Sequence, residues 1–265
     1  MDLSLAGRRA LVTGSTAGIG LAIARELALL GATVAINGRG EKRVAEAIAG
    51  LKDAVPGGRF LAAAGDVGGA AGAEAVLKAL PEADILINNA GIFEPKPFFA
   101  IEDEDWQRFF TVNVLSGVRL ARALVPGMVA RGWGRVVFIS SESALQIPVE
   151  MVHYGMTKTA QLAVARGLAE TVAGSGVTVN SVLPGPTLSE GVGEFIQQMA
   201  KDGGAGDLEA AGREFIKAHR PTSLLGRLAS VEEVAAMVAY VCSPAASATT
   251  GAALRVDGGV VRAIV

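Results

Sequence analysis

The sequence predicts an α/β fold, a doubly wound parallel sheet of about seven strands with helices on both faces, built as a single domain. Three observations carry this. Short β-rich runs alternate with longer helical patterns along the chain. Several of the short runs are apolar throughout, as strands covered on both faces require. The first run leads into a glycine-spaced turn that opens a helix.

The elements follow in order. Arg9 to Thr13 reads as the first strand and Ile19 to Leu30 as the first helix. Thr33 to Asn37 is the second strand, and a helix runs from there through Ala54. Arg59 to Ala64, Asp84 to Asn88, Arg135 to Ser140, Val177 to Val182 and Ala253 to Val256 supply the remaining strands. Strands separated by helices imply parallel pairing through right-handed crossovers. Ser230-Val-Glu-Glu233 is a capping-box pattern that opens a late helix, and Pro244 stops it soon after Cys242. No linker or repeat divides the 265 residues, so residues 1–265 form one dinucleotide-binding and catalytic domain, with a substrate-lid insertion at about 188–229.

Thr13-Gly-Ser-Thr-Ala-Gly-Ile-Gly20 lies between the first strand and the first helix. Glycines at 14, 18 and 20 let the backbone turn tightly and approach a pyrophosphate, while the helix start offers free N–H groups and the positive end of its dipole. Position in the first βα unit makes this a Rossmann-type dinucleotide turn, with Gly14, Ser15, Thr16, Gly18, Ile19 and Gly20 as candidate contacts. An acidic residue at the end of the second strand would favour NAD. The chain instead reads Ala35-Ile-Asn-Gly-Arg39, and Arg39 can fork onto a 2′-phosphate with Lys42 and Arg43 nearby, which favours NADP. With Arg39 as a plain solvated residue, NAD stays open.

Composition narrows the function classes. The chain is 51% hydrophobic and 19% charged with a net charge of −2, and it has no dense basic tract, so neither nucleic acid nor a membrane surface is an expected partner. No apolar run approaches the roughly 18 residues of a membrane span, and the N-terminus carries no signal peptide pattern. One cysteine excludes an intrachain disulfide and suits a reducing, cytoplasmic setting. Two separated histidines and that one cysteine are a poor inventory for zinc, so no metal is expected.

With these features in place, the chain resembles the short-chain dehydrogenase/reductase family in its single-domain branch, similar to 3-oxoacyl-carrier reductases. The glycine spacing matches, as does Asn88-Asn-Ala-Gly91 after the fourth strand. The resemblance implies that Asp66 and Val67 contact adenine, that Asn89, Ala90 and Gly91 line the cofactor, and that Pro184, Gly185 and Thr187 form the nicotinamide-side loop. Asp257-Gly-Gly259 matches the segment after the last strand. Asn113, Ser141, Tyr154 and Lys158 fall where the family keeps its catalytic four. By the same resemblance Lys158 also holds the nicotinamide ribose, Asn113 holds a water linking the lysine to solvent, and family members assemble as dimers or tetramers through helices that here span about Asp103–Ala130 and Val152–Ala173.

The residues themselves give this chemistry a physical basis. Tyr154 and Lys158 stand four apart, on one helix face. A neighbouring ammonium favours phenolate over phenol, so Lys158 is expected to lower the Tyr154 pKa from about 10. Tyr154 then gives a proton to a carbonyl oxygen or takes one from an alcohol, while Ser141 hydrogen-bonds the same oxygen. Ser143 is a second serine close to this centre, His153 is expected to face away from it, and Gln146, Glu142 and Glu150 stay unassigned. In the insertion, Leu188, Phe195, Ile196, Met199, Phe215 and Ile216 suit a partly apolar substrate, and Lys201, Lys217, His219 and Arg220 could meet an anionic one. The expected activity is NADP-dependent interconversion of a ketone and a secondary alcohol. The rivals are an NAD-dependent alcohol or polyol dehydrogenase and a non-catalytic dinucleotide sensor.

Overall fold

The computed structural model describes residues 1–189 and 208–264. Seven parallel strands form the main sheet: β1 (Arg9–Val12), β2 (Thr33–Gly38), β3 (Arg59–Ala64), β4 (Ile85–Asn88), β5 (Gly134–Ile139), β6 (Val177–Pro184) and β9 (Ala253–Val256). They lie in the order β3-β2-β1-β4-β5-β6-β9, every pair parallel. The chain winds outward one way through β1, β2 and β3, then returns to β4 and winds the other way. The crevice at this reversal, beyond the carboxyl ends of β1 and β4, is where a doubly wound sheet binds its ligand. A two-residue pair, β7 (Thr187–Leu188) with β8 (Ala229–Ser230), stands apart from the sheet.

Strand composition explains the order. Every residue of β4, β5 and β6 is buried, and these strands are central. The edge strands β3 and β9 are the exposed ones. Along each central strand alternate side chains serve opposite cores. Val12, Ile36, Ile85, Ile87 and Val137 face α1 (Gly18–Leu29), α2 (Glu41–Ala54) and the late helix Val231–Cys242. Leu11, Leu86, Val136, Phe138 and Val179 face α3 (Ala70–Ala79), α5 (Ser116–Ala130) and α6 (Val152–Thr171). Each fully buried aliphatic side chain contributes about 1.5–3 kcal/mol of burial free energy, so both layers hold the sheet's carboxyl edge rigid.

Helix α4 (Asp103–Phe110) runs through a π turn, Thr111–Leu115, into α5. The stretch Asp103–Ala130 is long enough, and with a mean hydropathy of 1.2 apolar enough, to cross a membrane, which the run-by-run reading of the sequence did not register. Half of its apolar window is buried within the protein, which marks it as a helix of the core. Past the insertion come α7 (Leu208–His219) and α8 (Val231–Cys242). The expectations for Phe195, Ile196, Met199 and Lys201 lie outside the described residues.

Candidate active site

The site begins at the β1–α1 turn, where hydrogen bonds sew four strand ends together. Thr13 Oγ1 accepts from the N–H groups of Asn89 and Ala90, both at 2.9 Å. Asn89 Nδ2 donates to the Thr13 and Gly14 carbonyls. Asn37 Oδ1 accepts from Gly14 N–H, and its Nδ2 donates to the Ala63 and Gly65 carbonyls. Ser15 donates its hydroxyl to Val12 O and its N–H to Asn37 O, so both of its donors serve the scaffold.

Glycine is required in this turn. Gly14 and Gly18 adopt φ values of 61° and 56°. A Cβ on Gly20 would sit 2.4 Å from the Gly14 oxygen. The first turn of α1 has no capping side chain and no acidic residue, whereas α4 and α8 both carry capping boxes. Among the described residues no side chain caps the first N–H groups of α1, which leaves them for an anion, and the turn fits the pyrophosphate of a dinucleotide. Thr16 and Ile19 are part-exposed along it.

At the end of β2, Gly38 packs close to Thr16, and Arg39 projects into solvent with Lys42 and Arg43 exposed beside it. No carboxylate occupies that strand end. Asp66 is exposed after β3, its Oδ1 accepting from Gly68 N–H, while Val67 is buried. On the nicotinamide side, Pro184 and Thr187 are buried, and Thr187 Oγ1 donates to Gly185 O. Gly185 lies against Asp257, where a Cβ would come within 2.7 Å of its carbonyl oxygen. Asp257 in turn accepts from the N–H groups of Gly259 and Val261.

The second half of the site gathers at the ends of β4 and β5. The π turn places Asn113 with its side chain inward, fully buried; such turns interrupt an α-helix most often at functional positions. Asn113 Oδ1 accepts from Ile92 N–H at 2.8 Å, and its Nδ2 donates to Ile92 O and Thr157 Oγ1. This clamps the segment after β4, including Gly91, against α6. Gln161 Nε2 donates to the Asn113 main-chain carbonyl at 2.6 Å.

Ser141 follows β5 directly and is buried. Tyr154 and Lys158 share one face of α6, with the Lys158 ammonium 5.5 Å from the Tyr154 ring centroid. Lys158 Nζ donates to Ile139 O at 2.9 Å, and a Cβ added to Gly91 would come within 3.6 Å of it. Burial without a carboxylate partner pushes its pKa down to about 8. The Phe93 ring meets Tyr154 edge-on. His153 faces the other way, its ring 4.0 Å from that of Phe109.

The expected lowering of the Tyr154 pKa is not what this arrangement produces. Burial raises it above the ordinary phenol value, opposed by a hydrogen bond with Ser141, raised further by Glu142 and lowered by Arg220. Helical spacing gives the geometry of the pair but not the depth of its burial, and burial dominates.

Sequence reasoning left Glu142 unassigned and treated Arg220 as a residue free to meet an anion. The structure pairs them: Arg220 Nε donates to Glu142 Oε1 at 2.8 Å. Arg220 is thus neutralised, while Lys217 and His219 are exposed. Ser143 is bound to Glu142 through both its N–H and its hydroxyl, so it supports this carboxylate. The one signal in the sequence was a glutamate flanked by serines at a strand end.

Comparison with known proteins agrees with this geometry. Residues 8–200 match the family model described as short chain dehydrogenase. The chain is 48% identical over 264 residues to the uncharacterized oxidoreductase YvaG of Bacillus subtilis (strain 168), covering all of both chains. It is 35% identical to the 3-oxoacyl-[acyl-carrier-protein] reductase FabG of Aquifex aeolicus (strain VF5), covering 98% of this chain and 99% of the relative. Among solved structures, L-sorbose reductase from Gluconobacter frateurii, complexed with NADPH and L-sorbose, superposes with a TM-score of 0.93 at 36% identity over the full length of both chains.

Proposed function

Because the chain belongs to the short-chain dehydrogenase family, we propose that it is an NADP-dependent oxidoreductase interconverting a ketone and a secondary alcohol. One observation carries this reading. A buried lysine, a tyrosine and a buried serine converge beyond β4 and β5, on the same carboxyl edge as the bare N-terminus of α1. The NADPH complex of L-sorbose reductase supports the cofactor assignment.

The bound nicotinamide would supply or accept the hydride. The chain's own residues do the rest. The turn at Gly14–Gly20 and the start of α1 hold the pyrophosphate, and Arg39 meets the 2′-phosphate. Lys158, buried beside Gly91, has two ammonium donors beyond the one given to Ile139 O, directed to the ribose hydroxyls. Ser141 hydrogen-bonds the substrate oxygen, and Tyr154 transfers the proton to or from it. Substrate choice rests with the residues around this centre, so a ketone and alcohol panel that includes L-sorbose and a 3-oxoacyl thioester identifies it. Assembly of copies through the helices Asp103–Ala130 and Val152–Ala173 belongs to the same proposal, supported by Phe99, which is 99% exposed and meets Phe98 edge-on just before the first of them. Light scattering that finds only a monomer removes it.

The cofactor reading has a direct test. Fluorescence titration is expected to show tighter binding of NADPH than of NADH. Arg39→Ala then weakens NADPH by about 10- to 100-fold, the worth of a charge-assisted phosphate contact, while NADH stays within about threefold. Tighter NADH than NADPH binding by the unaltered protein reverses the assignment.

A further inference from the structure

We propose that Glu142 and Arg220 form a buried charge pair that orients the Ser141 hydroxyl and sets the electrostatic field at Tyr154, which makes both of them positioning residues of the acid/base centre. This rests on the roles given to Ser141 and Tyr154 above.

Glu142 is only 3% exposed, at the 3₁₀ turn that follows β5. Its Oε2 accepts from Ser141 Oγ at 2.5 Å, Ser143 N–H at 2.6 Å and Ser143 Oγ at 2.9 Å. Its Oε1 accepts from Arg220 Nε. Three of those contacts crowd onto Oε2, while Oε1 carries the Arg220 contact. An ionised carboxylate only accepts, so in the substrate-free site the single Ser141 proton points at Glu142; a ketone oxygen, which also only accepts, competes with Glu142 for that proton when it binds. The Ser141 oxygen takes Ser143 N–H at 3.1 Å, and Ser141 is also hydrogen-bonded with Tyr154. Tyr154, Ser141 and Glu142 therefore form a directed chain that ends on the Arg220 guanidinium.

Arg220 comes from the far side of the site, just past α7, and its side chain is 12% exposed. Its Nη1 donates to His219 O and lies 3.5 Å from Glu150 Oε1. Among the described residues, the charged and titratable groups around the centre are Glu142 from the turn after β5, Arg220 from the segment after α7, Glu150 from the loop before α6, and Lys158 on α6 itself. Glu142 and Arg220 act on Tyr154 with opposite signs. A pair that merely bolted two segments together would loosen the site in the same way whichever partner was removed.

The chain has two tyrosines, so Tyr240→Phe leaves Tyr154 as the sole tyrosinate chromophore. Ultraviolet difference titration of the cofactor-free protein then reads Tyr154 alone and needs no substrate, so it stays informative even if Tyr154→Phe turns out to be active. In this background Glu142→Gln is expected to move the midpoint down by roughly one pH unit or more, and Arg220→Met to move it up. Glu142→Asp, which keeps the charge, restores the midpoint toward that of the parent. Arg220→Gln covers the case in which Glu142→Gln does not fold, and it too must raise the midpoint. Midpoints that stay put, or that move the same way in the Glu142 and Arg220 variants, overturn the proposal.

Discussion

Tyr154→Phe is expected to lower kcat for ketone reduction by about 10²- to 10⁴-fold, the usual worth of a positioned general acid. NADPH affinity is expected to stay within about threefold, since phenylalanine keeps the ring that meets Phe93 and packs on α6. The loss belongs to kcat rather than KM, because the hydroxyl acts on the reacting oxygen in the transition state. The raised Tyr154 pKa bears on direction. A phenol that holds its proton through neutral pH is already in the form that donates to a carbonyl. Alcohol oxidation needs the phenolate, so its rate is expected to climb with pH well into the alkaline range. A Phe variant with undiminished ketone reduction contradicts the role given to this hydroxyl.

Lys158→Met is expected to abolish turnover and, in the cofactor-free protein, to raise stability. Lys158 is 5% exposed and, among the described residues, has no carboxylate beside it. Its pKa falls from 10.5 in the unfolded chain to about 8 in the folded one. The unfolded state therefore binds more protons between those values, and stability rises as pH rises through that window. Below about pH 8 the full penalty remains, on the order of 3 kcal/mol. Methionine keeps the length of the side chain and removes the charge. Urea unfolding at neutral pH is expected to show the variant more stable by about 1–3 kcal/mol, with the gap closing towards pH 10.5. A variant less stable than the parent across this range contradicts the burial argument. The loss of turnover reads the other half of the role, the hold on the ribose.

Much of this architecture can be read from the residues in order. The runs at β4 and β5 are mostly apolar because both faces are covered, and Gly14, Gly18 and Gly20 are spaced by the geometry of a turn. Helix α3 is not assigned from the sequence: only Ala73 and Val76 of it are buried against the sheet, so it shows little apolar periodicity. The π turn at Asn113 carries no compositional mark, since Thr-Val-Asn-Val-Leu suits an ordinary helix equally well. Ser15 reads as a cofactor contact, yet its donors close the turn onto β1 and β2. Glu142 and Arg220 are 78 residues apart, and their contact exists only once the segment after α7 meets the turn after β5. Spacing gave the Tyr154–Lys158 pair; burial, which decides the proton affinities of both, is a property of the assembled site.

The most direct check is a crystal structure of this protein with NADP bound. The account predicts the nicotinamide beyond the ends of β4 and β5, its C4 face turned to the Tyr154 hydroxyl and its ribose hydroxyls within hydrogen-bonding distance of Lys158 Nζ. A nicotinamide placed away from Tyr154, with Lys158 bound only to Ile139 O, would contradict it.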